Sequence, residues 1–138
     1  MLVDRTISAA PAYRVVILTL DAHAAGPCAR ASERLVAEFP GLELSVHAAA
    51  EWGTHPESLE AARAAIASAD MVIANLLFLE EHVAAIMPDL QARRAGCDAM
   101  IGVIADAQIV RLTRMGTLDM SRPDSALSRL MKRLRGAG

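Results

Sequence analysis

The chain has few aromatic residues, few cysteines and little net charge, and these shortages exclude several classes of protein. Its 138 residues include one Trp, one Tyr, two Phe and two Cys, and the formal net charge is -2 at pH 7. A nucleic-acid binder usually presents a strongly basic surface, and a single-strand binder adds a platform of aromatic rings. Cys28 and Cys97 lie far apart and form no CxxC-type pair. We therefore expect two buried thiols, no disulfide framework, no zinc site and no nucleic-acid partner.

Long apolar runs are also missing, although 54% of the residues are hydrophobic. Alanine supplies much of that fraction, and no run approaches the ~20 residues of a membrane span. Residues 1–12 mix charged, polar and apolar side chains, unlike a secretory signal. The composition therefore predicts a cytoplasmic protein without a membrane span. Its length fits one domain with a self-sufficient core.

Four apolar segments alternate with helical periodicity along the chain. Residues 13–20 and 71–78 are continuous β-branched and aliphatic runs, typical of strands covered on both faces in a parallel sheet. Residues 42–48 alternate as a half-exposed edge strand does, and residues 99–105 form a fourth strand. The pattern predicts an α/β fold, namely a Rossmann/flavodoxin-like three-layer domain. Its parallel sheet has about four strands in the order 2-1-3-4.

Local signals predict where several helices begin and end. Thr54 and Glu57 have the side chains of a capping box for the second helix. Pro88 should kink or shorten the third helix. Residues 109–115 are predicted to form a helix that Gly116 closes. Each of these boundaries depends on residues that are close together in the sequence.

The same signals divide the chain into three parts. Residues 1–12 are predicted to be an N-terminal extension, and residues 13–116 form the parallel α/β domain. Residues 117–138 form a loop and a basic C-terminal helix, which Asp124 caps. The last helix is the part we expect to point away from the body.

Polar side chains gather where the strands end, which is where open parallel sheets bind ligands. Asp21 and His23 follow the first strand, and His47 lies at the end of the second. Glu81 and His82 begin the helix after the third strand. Imidazole and carboxylate groups suit a divalent ion or a proton relay, so these five residues are candidate metal ligands. The alternative is an ordinary polar loop, since no compact spacing such as HExxH occurs.

Trp52 and Asn75 are the candidates for contact with a cofactor or planar ligand. Trp52 stands alone after the second strand, where a large aromatic ring either docks on a partner or folds back as a lid. The turn at residues 21–26 contains one glycine and matches neither GxGxxG nor GxxxxGK. No GxSxG elbow occurs either, so no residue is assigned a catalytic role.

Five blocks in a fixed order resemble a known family. They are VVILTLDAHAAG (15–26), LELSVHAAAEW (42–52), DMVIANLLFLEEH (70–82), CDAM (97–100) and VRLTRMG (110–116). The blocks resemble the N-terminal domain of the H subunits of magnesium chelatases. The resemblance extends over nearly the whole chain, from residue 13 to residue 136.

The resemblance implies a function that this chain serves only in part. Chelatase H subunits bind protoporphyrin IX, and with AAA+ ATPase partner subunits they use ATP to insert Mg²⁺ on the route to chlorophyll and bacteriochlorophyll. The chain would then be an accessory domain of an ATP-dependent ligase in a photosynthetic bacterium. It would contact the remainder of the H subunit, hold no cofactor tightly and have no catalytic activity alone.

Three alternatives remain open from the sequence. One is the large subunit of cobaltochelatase in cobalamin biosynthesis, against which the block at residues 78–82 favours magnesium. Another is a stand-alone flavodoxin-like module that binds a flavin or a tetrapyrrole by itself. The third is a purely structural domain that docks on a neighbouring domain through Trp52 and the basic C-terminal helix.

Overall fold

A computed structural model describes residues 12–122 and 126–137. The strands are β1 Tyr13–Thr19, β2 Leu42–Ala48, β3 Met71–Asn75, β4 Ala99–Val103, β5 Arg114–Met115 and β6 Leu118–Asp119. The helices are α1 Ala25–Glu38, α2 Pro56–Ala67, α3 Glu80–Arg93, α4 Ala107–Val110 and α5 Ala126–Ala137. The predicted N-terminal extension, apart from Ala12, and the predicted Asp124 cap lie outside the described residues.

The sheet has the strand order β2-β1-β3-β4-β5-β6. The first four strands pair in parallel, which confirms the α/β class, the 2-1-3-4 order and the position of β2 at an edge. The last two strands pair antiparallel, so the sheet is mixed and has six strands rather than about four. No helix within the two described ranges is long and apolar enough to cross a bilayer.

The helix predicted over residues 109–115 is wrong. Only α4 is helical, and the chain then turns into β5, which Gly116 links to β6 with a φ of +59°. The cause is a contact distant in sequence, because the Thr113 hydroxyl accepts a hydrogen bond from the Gly102 N–H of β4 at 2.9 Å. This bond holds the chain beside the sheet, where a continued helix could not lie.

The predicted capping box is also wrong. Helix α2 begins at Pro56 with His55 as its N-cap, and no side chain caps it. Proline fits the first helical position because it needs no N–H partner there, so the N-cap falls one residue after Thr54. The Thr54 hydroxyl instead donates to the Glu51 carbonyl oxygen at 3.4 Å.

Pro88 does not shorten α3, which continues to Arg93. Proline removes one backbone hydrogen bond and crowds the preceding turn. However, Val83, Ile86 and Leu90 of the same helix are buried in the core on both sides of the proline. Their burial stabilises the helix across the lost bond.

The core lies on one face of the sheet, beneath α2 and α3. The strands contribute a row of side chains that share this face, namely Val16, Leu18, Val72, Ala74 and Met100. Ala62 and Ile66 of α2 pack on this row, together with the buried residues of α3. At about 25 cal/mol per Å² of buried apolar area, this packing is the main source of stability.

The opposite face of the sheet is only half covered, and we call it the open face, defined by Val15, Ile17, Met71, Ile73 and Ile101. All five side chains are half-buried, so β1 and β3 are not covered on both faces as the sequence predicted. Helix α1 is the layer on this side, but none of its residues is buried and it packs beside β2.

Candidate functional site

The β1–α1 turn is closed by its own side chains. Asp21 caps the short 3₁₀ turn Ala22–Ala24, because its carboxylate accepts the His23 N–H at 3.0 Å. The His23 side chain is 94% exposed, and its Nε2 lies 3.9 Å from Asp21 Oδ2. The Asp21 carboxylate is thus bonded within the 3₁₀ turn, and α1 begins at Ala25 without a side-chain cap.

His47 is half-buried at the end of β2 and faces the α2 side of the sheet. Its Nε2 lies 3.1 Å from the Ser45 hydroxyl oxygen. Desolvation by burial lowers the pKa of His47, so the ring is neutral at pH 7. The hydrogen bond with the Ser45 hydroxyl orients this neutral ring.

Trp52 and His82 form the closest aromatic contact at this edge. Their ring centroids are 6.0 Å apart at an interplanar angle of 75°, an edge-to-face arrangement. Trp52 is only 6% exposed, so it folds back onto the body as a lid. A cavity of about 310 Å³ lies beside the pair and is also lined by Gly53, Leu59 and Glu81.

Three buried polar atoms at this edge lack a hydrogen-bond partner among the residues that the structure describes. They are Trp52 Nε1, His82 Nδ1 and Asn75 Oδ1. More than nine-tenths of buried polar groups in proteins are paired, with protein or with ordered water. Water or a ligand group would be stabilised at each of these three atoms.

The predicted metal ligands separate into three places. Asp21 and His23 form one pair, Glu81 and His82 are neighbours on α3, and His47 lies at the end of β2. Across residues 12–122 and 126–137, no group of three or more His, Cys, Asp and Glu side chains is placed to hold a metal ion. A metal site at this edge stays a prediction, and no assembled ligand set supports it.

A second feature of the same edge was missed by the sequence analysis, and we call it the apolar tip. It consists of five large apolar side chains at the ends of two neighbouring strands. Three follow β3 and two end or follow β4, namely Leu76, Phe78, Leu79, Val103 and Ile104. Their exposed fractions are 39%, 52%, 49%, 43% and 67%. The sequence did contain a signal, since the apolar runs continue past Asn75 and Val103, where the strands end.

Backbone hydrogen bonds hold the two loops of the apolar tip together. The Leu76 N–H donates to the Ile104 carbonyl oxygen at 2.9 Å, and the Asp106 N–H donates to the Leu77 carbonyl oxygen at 2.8 Å. Leu76 and Ile104 have φ angles of +59° and +48°, in the left-handed region. The tip is therefore a defined and strained surface.

A mainly parallel sheet in the 2-1-3-4 order, with polar groups at its carboxyl edge, defines a Rossmann-like domain. The chain belongs to the family described as domain of unknown function DUF3479, whose model matches residues 14–138. That family is the N-terminal domain of the magnesium chelatase H protein, which confirms the resemblance of the five sequence blocks.

Two curated relatives give the same result. The H subunit of magnesium chelatase from Cereibacter sphaeroides is 61% identical over 127 residues, which cover 92% of this chain and 11% of the relative. The corresponding H subunit from Rhodobacter capsulatus is 56% identical over 124 residues, which cover 90% of this chain and 10% of the relative. The chain thus spans about a tenth of the length of these relatives.

Proposed function

We propose that this chain works as an accessory domain of a magnesium chelatase H subunit, and that it contributes contacts with the rest of the enzyme. The observation that carries the proposal is the match of nearly the whole chain, at 56% and 61% identity, to one part of two H subunits. The half-covered open face supports it, because such surfaces commonly mark interaction sites.

Under this proposal, the whole enzyme binds protoporphyrin IX and inserts Mg²⁺, which is a substrate. AAA+ ATPase partner subunits hydrolyse ATP, and the product leads to chlorophyll or bacteriochlorophyll in the cytoplasm of a photosynthetic bacterium. The domain itself holds no cofactor tightly. The β1–α1 turn supports this division, since residues 21–26 contain one glycine and match no phosphate-binding loop pattern.

The test removes the domain from the whole H subunit and reconstitutes the enzyme with its ATPase partners. We expect magnesium insertion to slow severalfold while the affinity for protoporphyrin is retained. Fluorescence quenching measures the affinity, and product fluorescence measures the insertion rate. Unchanged insertion would contradict the proposal, and loss of porphyrin affinity would favour the second candidate below.

The second candidate is a module that binds a tetrapyrrole or flavin by itself, at the cavity beside Trp52 and His82. Its support is the Trp52 Nε1 and His82 Nδ1 atoms, which lack partners among the described residues, and a cavity volume of about 310 Å³, near the lower limit of ligand pockets. Trp52 is the single tryptophan of the chain and reports on this cavity directly. Stoichiometric quenching of Trp52 by protoporphyrin, with a matching Soret shift, would establish the module, and His82→Ala should weaken the quenching.

The metal-ligand hypothesis has its own test in the reconstituted enzyme. If the carboxyl edge guides Mg²⁺, alanine at His23, His47 and His82 should lower the rate of insertion at limiting Mg²⁺. His55→Ala is the matched control, because His55 is exposed and lies in the loop before α2. Equal rates for all variants would eliminate the hypothesis.

A further inference from the structure

The apolar tip is a surface feature that the proposed function leaves without a role. The two loops that carry it are joined, because the Leu76 N–H donates to the Ile104 carbonyl oxygen and Asn75 pairs with Val103 across β3 and β4. Each of its five side chains is at least 39% exposed. Isolated exposed apolar residues are ordinary on a protein surface, but a contiguous group marks an interaction site.

The backbone of the apolar tip is left-handed at Leu76 and Ile104. A left-handed conformation is unfavourable for any residue with a Cβ and is a clear outlier for a β-branched one such as Ile104. Strain can serve packing when the side chain is buried, but Ile104 is 67% exposed. The strained backbone presents apolar side chains to the outside, which is the arrangement expected of a contact surface.

An acidic cavity lies directly beside the apolar tip. Phe78 forms one wall of a cavity of about 370 Å³ between α3 and α4, and Glu80, Asp106 and Gln108 also line it. Its lining residues include two carboxylates and no basic side chain. An apolar surface beside two carboxylates is complementary to an apolar partner that carries a cationic group.

The occupant can be identified by its chemistry. The chain corresponds to about a tenth of each curated relative, so roughly nine-tenths of such a subunit lies outside it. We propose that the apolar tip docks on a segment of the remaining H subunit, whose apolar side chains cover Phe78 and Ile104. An Arg or Lys of that segment enters the cavity beside Glu80 and Asp106. This inference rests on the proposed function and names the contact surface.

The experiment uses the whole H subunit with Phe78→Asp, and with Phe39→Asp as the matched control. Phe39 is 57% exposed, close to the value for Phe78, but it follows α1 at the opposite end of the sheet. Limited proteolysis of the whole subunit, followed by size-exclusion chromatography, measures how firmly the domain is docked. We expect Phe78→Asp to release the domain about tenfold faster than the control, which corresponds to about 1.4 kcal/mol of lost docking.

Two further variants keep the test decisive. Ile104→Gly removes a side chain of the apolar tip and also relieves the backbone strain. Faster release of the domain, at an unchanged or higher melting temperature, would support docking and exclude unfolding as the cause. Glu80→Lys should also accelerate release, because it places a positive charge opposite the expected cation. Release at the control rate in all three variants would overturn the inference.

Other occupants would give different results. Dissociation of a subunit dimer by Phe78→Asp would identify a second copy as the occupant, and about tenfold weaker protoporphyrin binding without faster release would identify the substrate. Either result overturns the proposed docking. The proposed function is judged separately by the domain deletion, so the inference can fail while the proposed function stands.

Discussion

Ile104 adopts a backbone conformation that glycine would adopt at lower cost. A left-handed conformation costs a residue with a Cβ about 1–2 kcal/mol, and glycine adds back about 0.5–1 kcal/mol of backbone entropy. We therefore expect Ile104→Gly to leave the free energy of unfolding unchanged or to raise it by up to about 1 kcal/mol. Urea unfolding measures the change.

The control for this prediction is Val103→Gly at the adjacent strand position. Val103 is an exposed residue within β4, and its φ is not positive. Glycine in an ordinary strand is unfavourable, by about 0.5–1 kcal/mol relative to alanine in regular structure. If the two variants were destabilised equally, the backbone at Ile104 would not be strained.

His47 makes the stability of the domain depend on pH. Burial lowers the pKa of His47 in the folded state, whereas the unfolded chain binds the proton with the ordinary affinity. The contribution of His47 to the free energy of unfolding is therefore fully present above the pKa of the unfolded state, about 6.5. It is lost as the pH falls from that value toward the lower pKa of the folded state. We expect the melting temperature to decrease between about pH 7.5 and 5.5.

Replacement of the imidazole should reduce this dependence. His47→Gln is expected to flatten the pH profile of the melting temperature, while His23→Gln, which changes an exposed side chain, leaves the profile as it was. A profile that is equally steep in both variants would show that other groups determine it. Thermal unfolding in buffers of matched ionic strength measures all three proteins.

Gly102 determines how closely α4 packs on β4. A Cβ at this position would lie 2.6 Å from the carbonyl oxygen of Ile109, which is backbone and cannot rotate away. Gly102→Ala must displace α4, and we expect a loss of about 1–3 kcal/mol in the free energy of unfolding. Gly53→Ala is the control because its Cβ would meet no atom within 4 Å. Similar losses in both variants would contradict the packing explanation.

The β5–β6 hairpin depends on an ion pair and is therefore sensitive to acid. Hydrogen bonds from the Ser121 hydroxyl and N–H, together with Arg94, lower the pKa of Asp119 to about 2. Arg94 Nη2 lies 2.7 Å from Asp119 Oδ1, so the pair connects the end of α3 to the hairpin. The contribution of the Asp119 carboxylate to the free energy of unfolding is fully present above about pH 4, the ordinary carboxyl range. It is lost as the pH falls toward 2.

Asp119→Asn tests this interaction. The variant should be less stable than the wild type at pH 7, and the difference should shrink in acid as Asp119 itself becomes protonated. Ser121→Ala should give a smaller change of the same sign, since it removes hydrogen bonds but leaves Arg94 in place. A difference that does not vary with pH would contradict the assignment to this carboxylate.

The strands and their order were predictable from local apolar runs, whereas several helix boundaries and the β5–β6 hairpin were not. The apolar runs located β1 to β4, and their alternation with helices gave the strand order. The missed hairpin follows from the bond between Thr113 and Gly102, which are 11 residues apart. At the site, the lid position of Trp52 was predictable, but its contact with His82 depends on folding across 30 residues.

The two layers that cover the sheet differ in how firmly they are packed. Helix α3 has three buried residues in the core, and α1 has none. Local opening costs less where few apolar contacts are broken. We expect native-state hydrogen exchange to show α1 opening at a lower free energy than α3. Equal protection in the two helices would mean that a partner or a second copy covers α1.

The ends of the sheet have a consequence for how the whole molecule could assemble. One end is β6, a strand of two residues that Arg94 and the Gly116 turn hold in place, whereas the other end is β2, which has seven residues. A short terminal strand offers little backbone for another chain to pair with, and proteins use this device against aggregation. Growth of the sheet by strand addition is therefore directional, and a foreign or swapped strand would join at β2.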